Sequence, residues 1–249
     1  MVLNFSNRSV AQTLSKSEID QGLRSYMLQV YNYMTTGLAI TGAVSYFFAK
    51  LCFIFTPDGQ VFPTQFGQVI FGSFIQWIII LAPLGFVFYL SARINKVSVS
   101  SALIIFFTFS AAMGLSLSSI FAVYTGASIA RVFFISSSVF LAMSLYGYTT
   151  KKDLTSWGSF LIMGLFGIII ASLVNIFLKS PMLYFAVSCI GVLIFVGLTA
   201  YDTQKIKNMY LESDAEEISN KKALMGALSL YLDFINLFIM LLRLFGQRR

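Results

Sequence analysis

Residues 197–246 read GLTAYDTQKIKNMY, then LESDAEEISNKK, then ALMGALSLYLDFINLFIMLLRLFG. Two apolar segments flank an acidic, polar link, and each carries one carboxylate, Asp202 in the first and Asp233 in the second. Ten apolar or neutral residues precede Asp233 and nine follow it before Arg243. A segment of that length and composition crosses a bilayer as a helix and puts its one acid near mid-depth. A carboxylate there is costly and turns to a partner or a wet cavity, so each aspartate is a functional candidate. Two of them on consecutive helices suggest a pair.

The same reading extends outward over the chain. Of 249 residues, 57% are hydrophobic and only 11% charged, where a soluble domain carries about 25% charged residues. Seven apolar segments can be marked, at 27–55, 69–92, 99–124, 132–148, 157–178, 182–204 and 223–245. They are continuous rather than alternating, which excludes a lipid-embedded β-barrel. The expected fold is an all-α membrane protein, a seven-transmembrane-helix bundle. A polar tail at 1–26 precedes one membrane domain at 27–245, and residues 246–249 form a short C-terminal tail.

The tail at 1–26 holds Arg8, Lys16, Glu18, Asp20 and Arg24. It lacks the apolar core and cleavage site of a secretory signal, so the first membrane helix is expected to serve as its own insertion signal. Cys52 and Cys189 have no CxxC spacing and read as small buried hydrophobes. The chain has no histidine, which removes His-based catalytic triads and most zinc sites. Its net charge of +7 is scattered among loops without interleaved aromatics, so no nucleic-acid partner is expected and the bilayer accounts for the charge.

Local signals punctuate the segments. TPDGQVFP at 56–63 reads as a loop, and Pro83 is expected to bend the second helix. The third segment carries Ser110, Ala111, Ala112, Gly114, Ser116, Ser118 and Ser119, small residues that let helices approach closely or form a wet wall. Gly158, Gly164 and Gly167 read as packing positions in the fifth. Ser180-Pro181 reads as an N-cap with proline at the first helical position, and Ser213 with Glu216 has capping-box spacing. With the N-terminus in the cytoplasm, inner segments hold eleven of the 17 Lys and Arg residues and outer ones six, a bias that supports that orientation. A re-entrant last segment gives fourteen to three, so the count leaves the final crossing open.

Removing a carboxylate from water disfavours its ionised form, and two neighbouring carboxyls titrate as a pair. One shared proton would bind the last two helices together; its loss would replace a hydrogen bond by repulsion. By the apolar limits the two aspartates differ in depth by roughly 10 Å at 1.5 Å per residue, a gap closed by an early start of the last helix or by a water-filled vestibule. Asp202, close to Lys205 and Lys207, also fits an ordinary interfacial residue, and Asp233 also fits a polar contact with Asn236 or Tyr231. Tyr201 and Gln204, next to Asp202, complete the candidate supporting set.

The stretches RSYMLQVYNYM at 24–34, YTTKKDLTSWGSFLIMGLFGIIIASLVNIF at 148–177, VGLTAYDTQKIKNMY at 196–210 and ALSLYLDFINLFIMLLRLFG at 227–246 resemble the transmembrane Bax inhibitor motif family in its bacterial branch. The resemblance implies a seven-helix bundle with a central C-terminal helix. It also implies a calcium leak across the bacterial inner membrane, controlled by a pH-sensitive pair that falls on Asp202 and Asp233. Arg93, at the end of the second segment, is the one candidate for the arginine described as a partner of that pair. The expected partners are the lipid bilayer, the calcium ion as transported species and membrane proteins, with no cofactor. Whether either aspartate also binds metal is left open. Asp58 is the only acid in the outer loops, which argues for a slow leak.

Two other functions fit less or differently. Tyr201-Asp202 matches the YD half of a presenilin-type aspartyl protease, but LYLD stands at Asp233 where GxGD is required, so no enzyme is expected. A non-transporting modulator of stress, cell death or membrane-protein quality control is the remaining alternative.

Overall fold

A computed structural model describes residues 4–56 and 58–249, with side chains from 21 onward except at 57. Its elements in chain order are α1 (Asn4–Cys52), β1 (Phe53–Phe55), β2 (Val61–Pro63), α2 (Gln65–Phe71), α3 (Ile75–Arg93), α4 (Val99–Leu117), α5 (Ile120–Val123), α6 (Gly126–Thr149), α7 (Thr155–Leu178), α8 (Pro181–Met209) and α9 (Glu216–Phe245). Among the described residues, six stretches are long and apolar enough to cross a membrane: α3, α4 with α5, α6, α7, α8 and α9. The N-terminal half of the membrane domain adds α1, which is more polar because Gln29, Asn32, Thr35, Thr36, Thr41 and Ser45 interrupt its apolar run.

Burial ranks the helices. In α9, 72% of the most apolar stretch is buried inside the protein, against 11–39% for the other five. α9 packs on α1, α4, α6 and α8, while α3 leans on α4 and α7 on α8. The wholly apolar outer helices need no inward face, since lipid solvates their Phe, Ile and Leu as well as a core does.

Several local expectations are met. Ser180 caps α8, its hydroxyl accepting from the Leu183 amide at 3.3 Å, with Pro181 in the first turn. The two-residue turn before it uses Lys179 in the left-handed region (φ 50°), and the Asn175 side chain accepts from the Ser180 amide at 2.9 Å. Pro83 lies inside α3.

Four expectations are corrected. The loop at 56–63 belongs to a short hairpin, β1 pairing antiparallel with β2 around Gly59 (φ +81°). The second segment is broken: Gly72 ends α2, and the Ser73 hydroxyl donates to the Val69 carbonyl and accepts from the Ile75 amide. The fourth begins at Gly126 rather than 132, capped by Thr125, so Arg131 stands within α6 and not in a loop. The capping box does not form; Ala215 precedes α9 with no side-chain cap. Instead the Lys222 ammonium ties the link together, donating to Asp214 at 2.6 Å and to the Met209 carbonyl at 3.0 Å.

The C-terminal residues settle where α9 ends. Arg248 bridges Tyr124, the Arg249 amide donates to the Val123 carbonyl at 3.0 Å, and the Arg249 guanidinium lies 5.0 Å from the centre of the Phe55 ring. α9 therefore runs from the link of 210–215 at one end of the bundle to the β1–β2 hairpin at the other. These are called the link end and the hairpin end below.

Candidate functional site

Asp202 stands on α8 and Asp233 on α9, the most intimate helix pair in the fold. Gly226 makes that approach close, because a methyl group at its α-carbon would stand 3.0 Å from the Ile206 side chain. Counted from the helix ends, the aspartates are out of register: Asp202 is seven residues before Met209, Asp233 seventeen after Glu216. The lysine clip restores the register. Lys222 reaches Met209, and the eleven residues from 222 to 233 rise about 16 Å against about 10 Å from 209 back to 202. The difference of about 6 Å is close to what a lysine side chain spans. The extra turns of α9 simply project beyond α8 at the link end.

The two carboxyl groups come within hydrogen-bonding reach of each other. Asp233 is only 5% exposed, and its Oδ2 has no donor. Two ionised carboxylates are both pure acceptors and cannot satisfy one another. A single proton shared between them would supply the missing donor. Both line a cavity of about 620 Å³ with Lys205, Ser229, Leu232 and Asn236, walled by α7 and touched by Leu84 of α3.

The other anticipated residues separate into two groups. Tyr201 and Asn236 line the same cavity. The Asn236 amide donates to the Leu232 carbonyl at 2.8 Å and makes no bond to Asp233. Tyr231 points elsewhere: it is fully buried, and its hydroxyl meets that of Thr41 at 2.6 Å, which in turn donates to the Ser110 carbonyl. Arg93 ends α3 and does not line the cavity, to which α3 sends Leu84 instead. The cationic side chain that does is Lys205.

Gln204 has a different task. Its Oε1 accepts from the Leu154 amide and its Nε2 donates to the Lys152 carbonyl, both at 2.8 Å, which pins the α6–α7 loop to α8 two residues from Asp202. In that loop the Thr155 amide and hydroxyl both donate to Asp153, holding its exposed carboxyl below the usual carboxylate range. Gln204→Ala is expected to strand one donor and one acceptor, costing about 1 kcal/mol. Hydrogen exchange at the Leu154 amide should accelerate, and unchanged protection would contradict the role.

Sequence reasoning missed a polar chain beside the pair. Tyr31 of α1, Ser144 of α6 and Thr203 of α8 join hydroxyl to hydroxyl at 2.6 and 2.9 Å. Each reads as an ordinary polar interruption in an apolar run, and only the packing brings them together. Among the described residues there is no group of three or more His, Cys, Asp or Glu side chains able to hold a metal ion.

A chain with six apolar spans, the buried α9 central among them, and an acidic pair in a cavity within the span, is a multi-pass integral membrane protein. The profile of the family described as "Inhibitor of apoptosis-promoting Bax1" matches residues 23–249, and the chain belongs to that Bax inhibitor family. Its relatives include inner membrane protein YbhL of Escherichia coli strain K12, 50% identical over 231 residues, which cover 92% of this chain and 94% of that one. A protein of Rickettsia prowazekii, RP147, is 48% identical over 242 residues, 97% and 98% of the two chains. A Caulobacter vibrioides protein is 41% identical over 252 residues, 99% and 100%.

Proposed function

We propose that this protein is a pH-sensitive cation leak in a bacterial inner membrane, gated by Asp202 and Asp233. The observation that carries the reading is a buried Asp233 oxygen without a donor in a cavity that Asp202 also lines. With one shared proton the pair clips α8 to α9. Without it, two unit charges about 4 Å apart repel by about 4 kcal/mol at an effective dielectric near 20. That is ample to reorganise a helix pair. In this reading α1 is a seventh crossing beside the six apolar spans, and the N-terminus is cytoplasmic.

Calcium is the proposed ion, because the cavity offers carboxylate, hydroxyl and amide oxygens, the donors a hard cation takes. Two carboxylates fall short of the six to eight oxygens that hold calcium tightly, which suits passage rather than storage. No hydrolytic role is proposed, since LYLD at Asp233 lacks the glycines of an aspartyl protease. The family description names an inhibitor of a death-promoting protein, which favours a non-transporting modulator as the second reading.

Purified protein in vesicles loaded with a calcium dye separates the two. The leak reading expects a flux that rises from about pH 6 to about pH 8, the range to which buried carboxyls can be tuned. Protein that moves no calcium at any pH would end the transport reading and leave the modulator.

A further inference from the structure

α9 has a second open side. α1 and α6 both pack on it but leave a lateral gap, filled by two adjoining cavities of about 450 and 580 Å³ that share Leu38, Gly42, Phe133 and Phe234. This is a different face of α9 from the one bearing Ser229 and Asn236. On α1 the gap runs from Tyr31 to Tyr46, about 22 Å at 1.5 Å per residue. One leaflet of a bilayer's hydrocarbon is about 15 Å thick, so a single acyl chain fits lengthwise.

Two further observations say what enters. Ser45 lines the hairpin-end cavity, is 4% exposed, and its hydroxyl has no partner. An unpaired hydroxyl in an apolar wall loses stability unless a ligand supplies an acceptor. One turn on, the Lys50 ammonium sits 4.5 Å from the centre of the Tyr46 ring, and Arg131 follows Ala130 of the opposite wall. Both cations are exposed at the hairpin end, and among the described residues neither pairs with a carboxylate. The order along the groove is cation, hydroxyl, apolar channel.

We propose that the α1–α6 groove binds one anionic phospholipid. Its phosphate lies between Lys50 and Arg131, an ester carbonyl accepts from Ser45, and one acyl chain follows Leu38, Phe133 and Phe234 toward the link end. The lipid is a ligand of defined position and charge, distinct from the lipid that merely solvates the outer helices.

Gly42 provides the test, because nothing stands within 4 Å of where its side chain would be. Gly42→Leu should fold normally and fill the groove. Native mass spectrometry of purified protein, incubated with equal amounts of dioleoyl phosphatidylglycerol and dioleoyl phosphatidylcholine, reads the occupancy. Wild type should retain one phosphatidylglycerol with about a thirtyfold preference, the effect of two surface cations. Gly42→Leu should retain none while keeping wild-type helix content by circular dichroism. Lys50→Gln with Arg131→Gln should keep one lipid but lose the preference. The proposal is overturned if wild type shows no preference, if Gly42→Leu holds phosphatidylglycerol as wild type does, or if the double variant keeps its selectivity.

Discussion

On the proposed leak, Asp233→Asn is expected to abolish the pH dependence of calcium flux while leaving the protein folded. The asparagine amide has nearly the shape of a protonated carboxyl and carries a permanent donor, so it can bond Asp202 at any pH. The clip between α8 and α9 then stays closed, and flux at about pH 8 should fall to the level wild type has at about pH 6. Repulsion of about 4 kcal/mol bounds the wild-type response at about a thousandfold; a ratio of about tenfold or more between the two pH values is expected, against a ratio near one in the variant. Asp202→Asn should behave the same way, because a shared proton belongs to the pair. A single variant that still follows pH would sink the paired mechanism, since one remaining carboxyl would then be titrating alone. Melting temperature checks that the loss is not unfolding: the asparagine amide supplies at every pH the donor that no other protein group gives Asp233 Oδ2, so stability should hold or rise.

Gly147→Ala is expected to give a large loss of stability for a small change. A methyl group at Gly147 would overlap the Ala200 carbonyl, which is backbone and cannot swing aside. α6 and α8 must separate, at about 1–3 kcal/mol for overpacking. Ser144 and Thr203 lie one turn along on the same two helices, bonded at 2.9 Å, and that bond lengthens too, adding about 0.6 kcal/mol, the mean for such bonds between membrane helices. Gly42→Ala is the matched control, because its new methyl meets open space; it should be neutral or slightly stabilising. Thermal unfolding in detergent would separate them. Equal melting temperatures for the two variants would show that the α6–α8 seam is softer than its packing implies.

The all-α membrane character could be read from the apolar runs because membrane helices must satisfy their backbone internally; the count of seven could not, since six stretches meet the length and apolarity of a span and α1 is more polar. The Ser180-Pro181 start was legible for the same local reason. The break at 72–74 was not, since nothing in FGSF distinguishes a kink from a helix until the neighbours of Ser73 are known. The capping box does not form; Lys222, nine residues away from Ser213, holds the link instead, through Asp214 and the Met209 carbonyl. At the candidate site, Asp202 and Asp233 stood out by charge in apolar surroundings. Gln204 was named only as a neighbour of Asp202, and Tyr31 and Thr203 not at all, because their roles depend on backbone and hydroxyls from other helices. Arg93 was a reasonable choice by charge, but the cavity lies about a dozen ångströms along α3 from it, at Leu84.

The position of α9 has a consequence for biogenesis. It is the last helix in chain order and the most deeply enclosed, so the ribosome delivers the keystone after every stone that rests on it. Until Tyr231 arrives, the Thr41 side chain lacks its hydroxyl partner, and the faces of α1, α4, α6 and α8 meant for α9 stand open in the bilayer. A chain stalled before residue 216 therefore presents the insertion machinery with a half-assembled bundle, marked as unfinished by its own exposed polar seam.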